Sequence, residues 1–362
     1  MVKKFIFAVQ GEGRGHMTQA ISLYEMLVEQ GHEVCAVILG VSSRREIPDF
    51  FLEKIKAPVI RLESPNFVTD RFNKSINIPA TVYRNVLRWG RYKKSLKQID
   101  ALVREHQPDV IINFFDLLMG LYYRFKKPSP KLVCIAHQYI YFHPDFEFPE
   151  GHWFDRHAIR FYTRLTTAGG SKNLALSFYK IYTHHDEVVV VPPLLRKEVF
   201  ELKAGNEEFF LVYLVNNGYF EEVLEWHRNN PQIQIHCFTD QAEALTQSYN
   251  LKDPKLQVHA LNDVLFLEMM SKAKGLASTA GFESVCEAMY LGKPVMMVPV
   301  QGHFEQLCNS RDAYKVGAGI FADKFDLGKL NQFISVFDNN KTWYRNWVLN
   351  ARQRIYKEVT SA

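Results

Sequence analysis

The most constraining feature of this sequence is a regular alternation of short apolar runs with segments of helical periodicity. A buried strand is predicted over residues 3–9, with its apolar run at residues 5–9, and residues 17–30 then place Ala20, Leu23 and Leu27 near helical spacing. Apolar runs of this length that alternate with helices are typical of βαβ units, whose strands are parallel and buried on both faces. The sequence therefore predicts an α/β protein built on parallel sheets.

The alternation is interrupted once, near the middle of the chain. Pro192 and Pro193 follow an apolar strand predicted over residues 187–191, and two prolines end regular structure and stiffen the chain. The same alternation then starts again, and 362 residues are enough for two domains. We predict two doubly wound Rossmann-like domains in tandem, residues 1–191 and 192–341, with ligands bound in the cleft between them.

The composition is that of a folded globular protein. Hydrophobic residues make up 47% of the chain and charged residues 23%, which excludes a disordered chain. The five cysteines are widely spaced and no Cys-x-x-Cys occurs, which favours a reducing compartment. The first apolar run is too short for a signal peptide, and no stretch approaches the roughly 20 apolar residues that span a bilayer. We expect a cytoplasmic protein, either soluble or peripheral on the inner face of the membrane.

Positive charge is concentrated in the first half of the chain. Residues 1–190 carry a formal net charge of +7 and residues 191–362 carry −2, which favours an anionic partner for the first domain. A basic amphipathic helix predicted over residues 80–106 and an aromatic, basic stretch over residues 153–182 could lie on an anionic membrane. The alternative is that each packs its apolar side on the core and solvates its cations. No nucleic-acid-binding module is present, so we expect no nucleic-acid partner.

A glycine-rich loop follows the first predicted strand. Gly11, Gly13 and Gly15 let backbone N–H groups approach a phosphate, and the helix start adds partial positive charge. The spacing is one residue short of the dinucleotide fingerprint, and the second strand is followed by Arg44 rather than an acidic residue, which disfavours NAD but leaves NADP open. His16 at the helix start is suited to general-base chemistry near pH 7, or else has only a capping or packing role.

A second constellation lies in the predicted second domain. Gly281 permits a tight turn between a strand and a helix, and the free N–H groups of that helix with the Ser284 hydroxyl form an anion site. Glu287 on the same helix could accept two hydrogen bonds from a ribose diol, or it could be an ordinary solvent-exposed glutamate. Glu305 and Gln306, after the next strand, could together hydrogen-bond a sugar.

These segments together resemble the donor half of GT-B glycosyltransferases, above all the UDP-glucuronosyltransferases and the peptidoglycan N-acetylglucosaminyltransferase. Their pattern runs Ala/Gly-Gly-x-x-Ser/Thr-x-x-Glu-Ala, Gly-x-Pro, Pro, and Asp/Glu/Gln-Gln-x-x-Asn. This chain matches it at Ala280, Gly281, Ser284, Glu287, Ala288, Gly292, Pro294, Pro299, Glu305, Gln306 and Asn309. The N-terminal glycine loop also resembles the first loop of these enzymes. A last helix, predicted over residues 342–358, resembles the segment that crosses back to pack on the first domain.

The resemblance implies transfer of a sugar from a nucleotide-diphosphate donor, UDP-linked, to an acceptor hydroxyl, with inversion and with no metal or other cofactor. It implies that His16 is the base, that Asp116 orients it, and that Gly11, Gly13 and Gly15 form an acceptor or phosphate loop. The donor-binding set that it implies is Thr279, Gly281, Ser284, Glu287, Gln301, Glu305, Gln306 and Asn217. Within that set, Gly281 and Ser284 would hold the diphosphate, Glu287 the ribose, and the Glu305–Gln306 pair the sugar.

The acceptor is left open by the sequence. A lipid-linked acceptor or a glycan fits the resemblance, and the basic first domain could contact an anionic membrane to reach a lipid. Two other functions stay open: a nucleotide-sugar epimerase or hydrolase of the same fold, and a non-catalytic protein that binds a nucleotide sugar or a lipid.

Overall fold

The computed structural model describes residues 1–41, 47–65 and 78–362. This part of the chain divides into two compact units. Arg44, considered above for a 2′-phosphate, lies outside the described residues.

The two units are made of different stretches of the chain. Unit 1 comprises the described residues up to Arg196 together with Trp347–Ala362, and unit 2 comprises Lys197–Asn346. The break between the units therefore lies just after the Pro192–Pro193 pair, and the chain returns to unit 1 at its C-terminal end.

Unit 1 is built on a seven-stranded parallel sheet. Its strands are β1 (Lys4–Gln10), β2 (Glu33–Val41), β3 (Val59–Glu63), β4 (Val110–Phe114), β5 (Lys131–Ala136), β6 (Lys172–Leu176) and β7 (Val189–Val191). The strand order is β3-β2-β1-β4-β5-β6-β7. The direction of strand addition reverses between β1 and β4, so the loops that leave their carboxyl ends lie side by side at a topological switch point, where doubly wound sheets bind ligands.

The helices of unit 1 connect these strands. They are α1 (Arg14–Glu29), α2 (Asp49–Lys54), α3 (Ile78–Leu87), α4 (Trp89–His106), α5 (Leu117–Lys126) and α6 (Trp153–Leu165), with a 3-10 helix over His137–Phe142. The central strands are buried on both faces: Phe5, Phe7 and Ile111 have no exposed surface. Continuous burial of this kind is what a parallel sheet covered by helices requires.

Unit 2 repeats this architecture with six parallel strands. They are β8 (Glu207–Leu214), β9 (Gln234–Thr239), β10 (Leu256–Ala260), β11 (Ala273–Ser278), β12 (Val295–Met297) and β13 (Gly319–Phe321). The order is β10-β9-β8-β11-β12-β13, so the switch point falls between β8 and β11. Phe210, Val212 and Met296 lie in its buried core.

The remaining helices belong to unit 2 or to the C-terminal end. They are α7 (Lys197–Glu201), α8 (Phe220–Asn229), α9 (Ala242–Ser248), α10 (Asp263–Lys272), α11 (Phe282–Tyr290), α12 (Phe304–Lys315), α13 (Leu327–Ile334), α14 (Thr342–Leu349) and α15 (Ala351–Thr360), with a 3-10 turn over Asn217–Tyr219. A single last helix was predicted, but it is interrupted at Asn350. Within unit 1, the Trp347 indole N–H donates to the Ser177 carbonyl at 3.0 Å, and the Lys3 ammonium donates to the Ala362 carbonyl at 3.1 Å.

The prediction of one basic helix over residues 80–106 is wrong. The chain leaves helical geometry at Arg88, between α3 and α4. Arg88 and Arg91 both turn to the carboxylate of Glu63, at 3.0 and 3.4 Å, and Gly90 weakens the first turn of α4 because glycine is a poor helix former. Three strands, β3, β6 and β13, were not predicted. Among the described residues, no helix is long and apolar enough to cross a membrane.

Candidate functional site

The glycine loop after β1 is shaped by close backbone packing. The Gly11 N–H donates to the Gly40 carbonyl at 2.8 Å, and a side chain at Gly11 would lie 2.3 Å from Val41 Cγ1. Gly13 then begins α1 without a capping side chain, and Gly15 lies in the first turn. Gly11 therefore shapes the loop, while the first-turn N–H groups of α1 are left to bind an anion.

His16 lies at the start of α1, at the β1–β4 switch point. Its side chain is 9% exposed, and burial lowers its pKa to about 4, opposed only by a hydrogen bond with Gln19. Nδ1 has no hydrogen-bond partner among the described residues. The imidazole stacks on the ring of Phe115, with centroids 5.6 Å apart and planes 23° apart. His16 is therefore neutral near pH 7, which is the state that a general base needs.

Asp116 follows β4 and forms the N-cap of α5. One carboxylate oxygen accepts from the Met119 N–H at 3.1 Å, and the other accepts from the Ser64 hydroxyl at 3.1 Å. The carboxylate packs directly against Gly40, where a Cβ atom would lie only 2.0 Å from Oδ2 of Asp116. Only glycine fits at this position. Burial raises the pKa of Asp116 to about 6.

The predicted pairing of Asp116 with His16 is not made in this structure. Among the described residues no hydrogen bond joins the two side chains, and the Asp116 oxygens accept from Met119 and Ser64 instead. The capping role follows from the geometry of α5, whose first turn needs an acceptor. His16 meets the face of Phe115 instead.

The burial of His16 and the burial of Asp116 have opposite effects on how the stability of the protein changes with pH. Burial lowers the pKa of His16 from 6.5 to about 4. Between pH 6.5 and pH 4 this histidine is therefore protonated only in the unfolded chain, and the folded state loses stability as the pH falls through that range. Burial raises the pKa of Asp116 from 3.8 to about 6. Between pH 3.8 and pH 6 this carboxyl is therefore ionised only in the unfolded chain, and the folded state loses stability as the pH rises through that range. The two effects therefore partly cancel in the wild-type protein.

A comparison of variants separates them. Between pH 7 and pH 5, we expect His16→Gln to lose about 2 kcal/mol less unfolding free energy than wild type, since one group that resists protonation is removed. The measurement is urea unfolding at both pH values. His184→Gln is the control, because that side chain is 86% exposed, and it should match wild type. Equal losses in His16→Gln and wild type would show that His16 is not held neutral by burial.

In unit 2, the loop between β11 and α11 forms an open helix start. Gly281 is the N-cap of α11 and has no side-chain cap. The Gly281 N–H and the Ser278 hydroxyl both donate to the Thr279 carbonyl, at 2.6 and 2.8 Å. Thr279 is fully buried, and its hydroxyl has no hydrogen-bond partner among the described residues. A Cβ atom at Gly281 would lie 3.9 Å from the Ser284 hydroxyl oxygen. The hydroxyl and the first-turn N–H groups of α11 can therefore face one anion.

Glu287 lies one turn beyond Ser284 on α11 and is only 1% exposed. Its interpretation as an ordinary solvent-exposed glutamate is therefore wrong. Carboxylates are almost never fully buried unless a partner or a function retains them. The end of α11 is held in place by α14: the Tyr344 hydroxyl donates to the Cys286 carbonyl at 3.2 Å and the Arg345 guanidinium to the Tyr290 carbonyl at 3.0 Å. Glu287 is thus presented by a fixed helix.

In the loop between β12 and α12, two residues predicted to bind the donor make hydrogen bonds within unit 2. The Gln306 side-chain oxygen accepts from the Val300 N–H at 2.8 Å, while the Gln301 N–H donates to the Tyr219 hydroxyl at 3.2 Å and its side chain is exposed. Glu305 is half-buried in the first turn of α12. Because Oε1 of Gln306 accepts from Val300, direct contact of Gln306 with a sugar would use its side-chain N–H₂ group.

Two asparagines make side-chain hydrogen bonds near the carboxyl ends of the strands of unit 2. The Asn309 side-chain N–H donates to the Ala280 carbonyl at 3.0 Å, so α12 is joined to the loop that precedes α11. After β8, the Asn217 side-chain oxygen accepts from the Thr239 hydroxyl. Asn217, Thr279 and Gly281 therefore follow β8 and β11, the two strands at the switch point of unit 2.

Sequence reasoning missed several residues that shape these sites. Ser64, Gly40 and Phe115 around Asp116 and His16 were not predicted, nor was Tyr219 beneath Gln301. Ser64 could have been found from the end of β3, where Pro65 follows it, had that strand been predicted. Phe115 carries no sequence signal, because its role depends on an unusual backbone conformation.

Comparison with known proteins gives one family and one fold. The family model for glycosyl transferase family 1 matches residues 3–337. No curated protein matches the chain. Among solved structures, the glycotransferase of kitacinnamycin is similar with a TM-score of 0.67 and 14% identity, covering 99% of this chain and 100% of that chain.

Two further structures show the same likeness. MurG of Acinetobacter baumannii has a TM-score of 0.56 and 14% identity, covering 99% of this chain and 100% of that chain. UGT2 of Phytolacca americana, complexed with UDP-2-fluoroglucose and pterostilbene, has a TM-score of 0.62 and 11% identity, covering 99% of each chain. At such identities the likeness establishes the fold alone, that of GT-B glycosyltransferases, with two α/β domains that each contain a parallel sheet.

Proposed function

Because the chain belongs to glycosyl transferase family 1 and is a glycosyltransferase, we propose that its donor is a UDP-linked sugar and that transfer to an acceptor hydroxyl proceeds with inversion and without a metal. The observation that carries this proposal is the open start of α11 followed by buried Glu287. An uncapped helix start suits a diphosphate, and a fixed carboxylate suits a ribose diol. UGT2 of Phytolacca americana, which has the same fold, was solved with a UDP-sugar analogue.

The proposed reaction gives separate roles to His16 and to the first turn of α11. His16 of unit 1 takes the proton of the acceptor hydroxyl, whose oxygen bonds to the anomeric carbon as the bond from that carbon to the diphosphate breaks. A single displacement of this kind inverts the anomeric configuration. The first-turn N–H groups of α11 stabilise the negative charge that develops on the departing UDP.

Release of UDP from a panel of UDP-sugars, with and without candidate acceptor alcohols, tests this proposal. We expect UDP release that depends on the acceptor and a product of opposite anomeric configuration to the donor. Turnover without any acceptor would instead indicate an epimerase or a hydrolase of this fold. Binding of the nucleotide sugar without turnover under any condition would indicate a non-catalytic binding protein.

A surface of unit 1 favours a further part of this proposal, peripheral contact with an anionic membrane. The apolar–basic surface consists of the exposed apolar residues of α3, α4 and α5 and the exposed lysines beside them: Tyr83, Val86, Leu87, Trp89, Phe125, Lys93, Lys94, Lys97, Lys126 and Lys127. Trp89 and Phe125 touch edge to face, with centroids 6.3 Å apart. Residues 78–99 contain no acidic side chain, so the surface suits anionic headgroups and a lipid-linked acceptor.

Removing the lysines of this surface should weaken membrane binding strongly. Each lysine near an anionic surface contributes about 1 kcal/mol, so joint replacement of Lys93, Lys94 and Lys97 by glutamine should weaken binding about 100-fold. The measurement is co-sedimentation with phosphatidylcholine vesicles, with and without phosphatidylglycerol. Trp89→Ser should also weaken binding, whereas Trp343→Ser, 44% exposed on α14, should not. Failure of wild type to sediment with the anionic vesicles would contradict this part of the proposal.

A further inference from the structure

Phe115 has a backbone conformation that is rare for its residue type. Its φ is +61°, in the left-handed region that a bulky L-residue seldom adopts. Such strain persists only where the surroundings impose it, and it is common at functional sites. Here it lies between the last residue of β4 and Asp116, at the switch point of unit 1.

The side chain of Asn113 imposes this conformation. Its oxygen accepts from the Asp116 N–H at 2.8 Å, and its N–H group donates to the Asp116 carbonyl at 3.0 Å and to the Thr166 carbonyl at 2.8 Å. Asn113 is fully buried. The backbone that follows Phe115 is therefore fixed, and Phe115 cannot leave its left-handed conformation without disturbing these bonds.

The strained backbone directs the Phe115 ring onto His16. The ring is 3% exposed and lies nearly parallel to the imidazole. The rings of Tyr139 and Tyr162 meet it edge-on, with centroids 5.8 and 5.7 Å away. Phe115 is thus fixed by two tyrosines and offers its face to the candidate base.

We propose that Phe115 is the positioning residue for His16, in the role that the resemblance assigned to Asp116. This inference rests on the proposed function of His16 as the base. When the bond between the acceptor oxygen and its hydrogen breaks and a nitrogen of His16 gains the proton, the positive charge of the imidazolium faces the π system of Phe115. An aromatic face attracts such a cation, and the stack fixes the plane of the imidazole ring.

The test compares Phe115→Leu, which keeps an apolar side chain but has no π face, with Phe115→Tyr, which keeps the ring. We expect kcat to fall about 10-fold in Phe115→Leu with the KM for the donor unchanged, and to recover in Phe115→Tyr. Phe178→Leu is the matched control: Phe178 is fully buried in unit 1 and packs edge-on against a different histidine, His137, with centroids 5.5 Å apart. That variant should keep the wild-type kcat.

A spectroscopic measurement tests the stack without any turnover. In protein labelled at histidine, the carbon-bound ring protons of His16 should lie upfield because the Phe115 ring shields them. They should move downfield in Phe115→Leu and stay in Phe115→Tyr. An unmoved His16 signal, or an equal loss of kcat in Phe178→Leu, would overturn the inference. Absence of transfer from every donor in wild type would instead contradict the proposed function, so the two failures differ.

Discussion

Replacing His16 with alanine should reduce the rate of sugar transfer by about 10³-fold, the usual contribution of a positioned general base. The expectation follows from a neutral, buried imidazole at the start of α1, with a pKa lowered to about 4. Affinity for UDP should not change, because the donor-binding residues that we propose belong to unit 2. The measurement combines kcat for transfer with calorimetric titration of UDP.

The fold of each His16 variant is checked by its thermal midpoint. His184→Ala, at an 86% exposed position of unit 1, serves as the control and should keep wild-type activity. Residual transfer above about a tenth of the wild-type rate in a folded His16→Ala protein would remove His16 as the base. A parallel loss of UDP affinity would show that the substitution acts on donor binding instead.

Replacing Glu287 with glutamine should weaken binding of UDP about 100-fold. A hydrogen bond to a charged group contributes about 1.5–3 kcal/mol, and the proposed ribose diol donates two of them to this carboxylate. Glutamine keeps the shape of the side chain but not its charge. Calorimetric titration gives the two dissociation constants directly.

The ligand itself offers a sharper form of this experiment. Wild type should bind 2′-deoxy-UDP more weakly than UDP, whereas Glu287→Gln should discriminate little between them, since the carboxylate that reads the 2′-hydroxyl is gone. The difference between the effect of removing the 2′-hydroxyl in wild type and its effect in Glu287→Gln measures the contact between that hydroxyl and the carboxylate. Glu221→Gln, on the exposed first turn of α8, should behave as wild type. Unchanged UDP affinity in folded Glu287→Gln would rule out the ribose assignment.

Much of the fold could be predicted from the sequence because parallel strands buried on both faces leave a strong pattern. The first strand, the glycine loop and α1 were predicted close to their observed bounds, and the Pro192–Pro193 pair marked the region where the chain leaves unit 1. β3, β6 and β13 were missed, and β13 is only three residues long and begins with Gly319. β3 is an outer strand that contains the exposed Arg61, and β6 begins with Lys172 and Asn173, so neither is a continuous apolar run.

Parts of the candidate site depend on geometry that a sequence does not state. Asp116 follows β4 and was predicted to orient His16, yet its oxygens accept hydrogen bonds from a helix N-terminus and from Ser64. Gln306 matches the donor motif, yet its side chain supports Val300. Phe115 depends on a positive φ imposed by Asn113, which no propensity predicts. In each case tertiary hydrogen bonding decides what the side chain does.

The most direct test of the central claim is the thermal unfolding of the wild-type protein with a panel of nucleoside diphosphates. A ligand that binds only the folded state, present at 100 times its dissociation constant, stabilises that state by about 2.7 kcal/mol. We predict that UDP raises the unfolding midpoint and that the rise is lost in Glu287→Gln. An unchanged midpoint with every nucleoside diphosphate, in a protein that is folded, would contradict the donor site that we propose in unit 2.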